Sequence, residues 1–175
     1  MIHRAGPKSC AFLHLEFQNK GASTNVAEIQ VAYSNFTAGI CKIAFMPERF
    51  PAELFTEYDG PVIYAEIKYQ TNGLLVFDLV RQWGAYDATR QWVAWSNNVA
   101  YVPGQVVSFQ VGSTSARIYY GTNLLINSLH GTNAAQVYAQ GAFPHLEFQN
   151  QDNTTNAIVT IDSVKVRHLS GFTPP

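Results

Sequence analysis

His14-Leu15-Glu16-Phe17-Gln18-Asn19 recurs unchanged as His145-Leu146-Glu147-Phe148-Gln149-Asn150, and each copy is followed five residues later by Thr-Asn, at Thr24-Asn25 and Thr155-Asn156. The copies stand 131 residues apart, far outside the ~20–50-residue periods of solenoids and propellers. Two short copies at opposite ends of one domain read most simply as two similar β-hairpins. In an extended chain Leu15 and Phe17 take one face, and His14, Glu16 and Gln18 take the other. Leu146 and Phe148 against His145, Glu147 and Gln149 repeat the arrangement. The chain makes the same polar surface twice, on strands.

That period of two continues outward from both copies. Short runs of β-branched and aromatic residues alternate with polar ones and are punctuated by Gly, Asn, Pro and Ser, while helical periodicity is nearly absent. Strands are expected at about 11–18, 26–34, 39–46, 62–70, 73–81, 91–96, 105–111, 115–121, 123–128, 143–149 and 157–168. Thr71-Asn72-Gly73 is a tight-turn signal between Ile63–Tyr69 and Leu74–Val80. Gly112-Ser113-Thr114 and Gly121-Thr122-Asn123 mark two further hairpins. Between Met46 and Leu54 two prolines break any strand, so a short helix or irregular loop is expected there. This many short strands predicts an all-β, two-sheet antiparallel β-sandwich of jelly-roll type, with a closed barrel as the alternative. At 175 residues the whole chain, 1–175, is expected to form one domain. Residues 1–10 are read as an extended N-terminal segment and 170–175 as a C-terminal tail.

Charged residues make up only 13% of the chain, about half the usual ~25%. Polar contacts then fall to Asn, Gln, Ser, Thr and Tyr, which suits neutral, hydroxyl-rich ligands or burial against other copies. A net charge of −1 and the lack of any Lys/Arg run argue against nucleic acid as a partner. No apolar stretch approaches the ~20 residues of a membrane span, and no apolar segment follows Met1-Ile2-His3-Arg4 as a signal peptide requires. The sequons Asn35-Phe36-Thr37 and Asn153-Thr154-Thr155 are compatible with an extracellular or cell-surface location, reached from a leader outside this sequence or by export without one. Cys10 and Cys41 lack CxxC spacing; they are either one disulfide or two buried thiols.

Within the last third, Gln105–Ser128 carries Arg117-Ile118-Tyr119-Tyr120-Gly121-Thr122-Asn123-Leu124-Leu125-Ile126, and the chain closes on Ile158-Val159-Thr160-Ile161-Asp162-Ser163-Val164-Lys165-Val166. The first stretch resembles adjacent strands of the concanavalin A-like lectin/glucanase superfamily. The second resembles the final strand of those proteins and of several β-sandwich carbohydrate-binding modules. The resemblance implies carbohydrate binding or cleavage in general. It departs from the β-glucanases, whose Glu-x-Asp-x-x-Glu strand is absent: Glu53, Glu57 and Asp59 have other spacing and lie beside prolines. In the resembling modules an acidic residue placed like Asp162 helps bind a structural calcium with an acidic residue near the N-terminus. Glu16 is then its partner here; otherwise Asp162 is an exposed carboxylate on an edge strand.

Two constellations carry possible chemistry. If the two copies meet, His14, Glu16, His145 and Glu147 converge. Paired carboxylates at ~5–10 Å are what glycoside hydrolysis needs, so Glu16 and Glu147 are the catalytic candidates; the same four residues also suit a metal. The favoured reading of these four is polar, solvent-facing residues that guard edge strands. The second is Trp83-Gly84-Ala85-Tyr86-Asp87-Ala88-Thr89-Arg90-Gln91-Trp92-Val93-Ala94-Trp95. Flat rings stack on sugar faces while Asp, Arg and Gln bind hydroxyls, so Trp83, Tyr86, Asp87, Arg90 and Trp92 are the expected ligand-binding residues. Trp92 and Trp95 are three apart, which puts them on opposite faces of a regular strand and one of them in the core.

The favoured reading is a non-catalytic glycan- or polysaccharide-binding module. The alternatives are a self-assembling capsid-, fibre- or shell-like jelly roll, and a polysaccharide hydrolase or lyase on the same fold.

Overall fold

The computed structural model describes residues 12–16, 26–37, 39–46, 61–70, 72–83, 91–112, 115–129, 143–149 and 159–169. Eleven strands run in chain order: β1 (Phe12–Glu16), β2 (Val26–Phe36), β3 (Ile40–Met46), β4 (Pro61–Gln70), β5 (Leu74–Trp83), β6 (Gln91–Ala100), β7 (Val106–Val111), β8 (Ser115–Tyr120), β9 (Asn123–Leu129), β10 (Phe143–Gln149) and β11 (Val159–Leu169). Each expected strand is present within a few residues. No helix long and apolar enough to cross a membrane occurs among the described residues. The segments 1–10, 47–54 and 170–175, with the expectations placed on them, lie outside those residues.

All pairs are antiparallel and form two sheets, ordered β1-β10-β3-β4-β5-β6 and β11-β2-β7-β8-β9. This is the two-layer β-sandwich that the alternation predicts, open rather than closed into a barrel. β6 and β9 stack against each other at one side, so β1 and β11 border the sheets at the other.

Between the sheets lies an apolar core. Ile29 and Val31 of β2, Phe109 of β7 and Ile118 of β8 meet Ile43, Ile67, Phe77 and Leu79 of the six-stranded sheet, all fully buried. Tyr33 is also inside, its Oη 2.7 Å from Cys41 Sγ. Burial, with Cys41 beside it, pushes the Tyr33 phenol well above its ordinary pKa. Cys10 lies outside the described residues. On the outer face of the five-stranded sheet, Glu28 is buried as the acceptor for Ser108 Oγ and for Gln110 Nε2 at 2.9 Å.

The turn between β4 and β5 fixes what lies across the six-stranded sheet. Asn72 and Gly73 hold φ of 85° and 74°, the left-handed region that Asn and Gly tolerate best. Residues equidistant from Asn72 therefore pair, Gln70 with Leu74 and Glu66 with Asp78. The duplicated hexapeptides are neighbours. Leu15 stands opposite Leu146, His14 opposite Glu147 and Glu16 opposite His145, so the repeat pairs with itself about a local two-fold centred on the leucines.

Candidate functional site

Directly opposite residues of an antiparallel pair share a face, so one row can be followed across the six-stranded sheet. It runs His14, Glu147, Lys42, Glu66, Asp78 and Trp95, one residue from each of β1, β10, β3, β4, β5 and β6. The row beside it is Glu16, His145, Ala44, Tyr64, Val80 and Trp92. The alternate positions Leu146, Ile43, Ala65 and Leu79 belong to the core, so these two rows take the outer face. Five gaps of ~4.8 Å make the face about 24 Å wide.

The tryptophans correct the sequence expectation. Val80 pairs with Trp92 and Leu79 with Ala94, which leaves Val93 as an extra residue. Such a bulge re-aims the side chains that follow it, and Asp78 then pairs with Trp95. Neither ring is in the core: Trp92 is 52% and Trp95 64% exposed. Val93 and Ala94 pack against the core instead. Two large apolar rings stand in solvent on one face of one edge strand.

Beside them is a fixed charge cluster. Lys68 Nζ donates to Asp78 Oδ2 at 3.0 Å and lies 2.8 Å from Glu66 Oε1. The Glu66 side chain is fully buried, whereas that of Lys68 is 32% exposed. Burial pulls the Lys68 pKa down, but hydrogen bonds and charge from Glu66 and Asp78 outweigh it, and the net shift is upward from 10.5. Lys42 is buried too, with Nζ 5.7 Å from the centre of the Tyr64 ring, within cation–π range. Tyr64 and Val80 are fully buried, so the accessible described part of this face runs along β6 and reaches Lys68. Exposed rings beside an ammonium held by two carboxylates can stack on a sugar ring and hydrogen-bond its hydroxyls.

Of the residues singled out from sequence, Trp92 stands in this site. Trp83 ends β5 opposite Pro61. Tyr86, Asp87 and Arg90 lie outside the described residues, in the segment that joins β5 to β6. Glu16 and Glu147 are diagonal neighbours on β1 and β10, each directly opposite a histidine. Asp162 is exposed on β11, the extra residue of a bulge between the pairs Ile161–Tyr33 and Ser163–Ala32. It belongs to the sheet that does not contain Glu16. Sequence reading missed Glu66, Lys68 and Asp78, and took only one of Trp92 and Trp95 as exposed.

No family model matches the chain, and no curated protein matches it in sequence. Solved structures do. A glycoside hydrolase family 16 endo-glucanase from Bacteroides ovatus superposes with a TM-score of 0.54 at 11% identity, over 95% of this chain and 84% of that one. An alginate lyase from Pseudomonas aeruginosa gives 0.50 at 10% identity, over 83% of this chain and 66% of the lyase. A carbohydrate-binding module from Bacillus subtilis gives 0.48 at 9% identity, over 91% and 83%. The chain thus shares the two-sheet β-sandwich fold of that glucanase.

Proposed function

We propose that the chain is a non-catalytic glycan-binding module that takes a polysaccharide segment along the outer face of the six-stranded sheet, at β6. The observation that carries this reading is the bulge at Val93, which presents Trp92 and Trp95 together on that face beside Asp78. An unpaired bulge that exposes two tryptophans costs burial that a strand otherwise gains, and stacking on a ligand offsets that cost. The low charge of the chain suits a neutral, hydroxyl-rich partner. The glucanase with this fold supports a polysaccharide ligand, and the alginate lyase extends that ligand class to acidic polymers. At β6, binding is favoured over cleavage because the two carboxylates beside the tryptophans, Glu66 and Asp78, both hold Lys68. An extracellular or cell-surface location follows from where such polymers are met.

The test is affinity gel electrophoresis against a panel of neutral and acidic polysaccharides. Trp95→Ala should weaken retention by at least about tenfold, the ~1.4 kcal/mol or more expected of an aromatic anchor. Its thermal midpoint should move little, because an exposed side chain contributes little to folding. Wild-type protein that migrates freely through every polymer contradicts the proposal. So does retention unchanged by Trp92→Ala and Trp95→Ala together.

A further inference from the structure

β6 carries a second bulge, on the other side of Trp95 from Val93. Leu75 pairs with Val99 and Phe77 with Ser96, so Asn97 and Asn98 together stand opposite Val76. Asn98 takes up the extra length with φ of 59°, the left-handed region that Asn tolerates better than most residues with a side chain. Leu75 and Phe77 are core residues, and Val99 packs against the same core. The position between them, Val76 with Asn97 and Asn98, therefore belongs to the outer face. Both asparagines are exposed. One step of the ladder, about 6.8 Å, separates them from Trp95, which stands opposite Asp78. Lys68 faces them across β5, opposite Val76, with Nζ held by Glu66 and Asp78.

Stacking and hydrogen bonding make different demands on a ligand. An aromatic ring accepts the flat face of many sugars, whereas orientation and specificity come from a few placed polar groups. A carboxamide carries an acceptor oxygen and a donor NH2 side by side. That pair matches two neighbouring hydroxyls of one sugar ring, each of which can donate and accept. A regular strand brings one side chain to such a position; the bulge brings two amides. We propose that Asn97 and Asn98 form the hydroxyl-reading part of the glycan face, binding the vicinal hydroxyls of a sugar beside Trp95. The ligand is then a neutral glycan with a free vicinal diol at that sugar. This inference rests on the glycan-binding reading of β6 and adds the residues that set its selectivity.

Calorimetric titration of the full chain with neutral oligosaccharides of one length, in gluco, manno and galacto configuration, tests this, because the three differ in the configuration of single hydroxyls. Wild type is expected to prefer one configuration by at least about tenfold. Asn97→Ala combined with Asn98→Gly should weaken the preferred ligand at least about tenfold, as the loss of two net hydrogen bonds implies, and should level the three affinities. Asn98→Gly keeps the left-handed backbone available, so the thermal midpoint should hold and the loss reports the amides. Asn72→Gly, which removes an exposed amide with φ of 85° from the turn between β4 and β5, should leave binding unchanged. Where the double variant does not fold, Asn97→Ala alone should reduce the preference. Affinity and preference unchanged in the asparagine variants, or equal affinity of wild type for all three sugars, overturn this inference; if Trp95→Ala still lowers affinity, the glycan site itself stands. Affinity that Trp95→Ala does not lower overturns both.

Discussion

Phe109→Ala is expected to lower the unfolding free energy by about 3–5 kcal/mol, the range for emptying an aromatic site in a packed core. Phe109 is fully buried in β7. It lies between Ile29 of β2 and Ile118 of β8, its partners in register on either side. None of these neighbours can move into the gap without breaking its own ladder, so the cavity persists. For a chain of this size the loss corresponds to a fall in thermal midpoint of roughly 6–20 °C. Urea denaturation followed by far-UV circular dichroism measures it. A change below about 1 kcal/mol would mean that the two sheets do not share the core described above.

Lys68→Met is the second large effect. It removes the cation and leaves Glu66, fully buried, and Asp78, 4% exposed, side by side in register. Removing one partner of a buried ion pair costs about 3–5 kcal/mol. The ammonium itself is one-third exposed, so solvent screening reduces the expected loss to about 2–4 kcal/mol. Adding Asp78→Asn should restore part of it, because it neutralises the carboxylate that accepts from Lys68 Nζ at 3.0 Å. The wild-type pH dependence has a definite sign. Lys68 has a raised pKa in the folded protein, so its contribution is fully present below pH 10.5 and is lost as pH rises through the folded value. Chemical denaturation at pH 9 and pH 11.5 should therefore show a smaller difference between wild type and Lys68→Met at the higher pH. An equal difference at both contradicts the role given to Lys68.

These effects trace back to features of the sequence in unequal measure. The strands were legible because alternation marks them and Gly, Asn and Pro separate them. Even the pairing of Glu66 with Asp78 was recoverable, since both lie six residues from Asn72 and that residue centres the turn. The meeting of His14–Glu16 with His145–Glu147 was half legible. Identity of the copies hinted at a shared environment, but the register that sets each Glu against a His depends on packing over 131 residues of separation. The tryptophans were not legible. A spacing of three in a strand argues for opposite faces, and only the bulge at Val93, imposed by the partner β5, brings Trp92 and Trp95 together. β-Bulges leave little trace in a single sequence because many residue types occupy the extra position.

The account rests on β6 as the surface that meets the ligand. Its most direct test is the nuclear magnetic resonance signal of the indole N–H groups during titration with the best-retained oligosaccharide. The chain has three tryptophans, and single Trp→Phe variants assign the signals of Trp92 and Trp95. Both signals should shift progressively and saturate together, with one affinity that matches the affinity gel. Saturating oligosaccharide that moves neither signal, while binding is still detected by calorimetry, would place the glycan elsewhere on the sandwich and contradict the account.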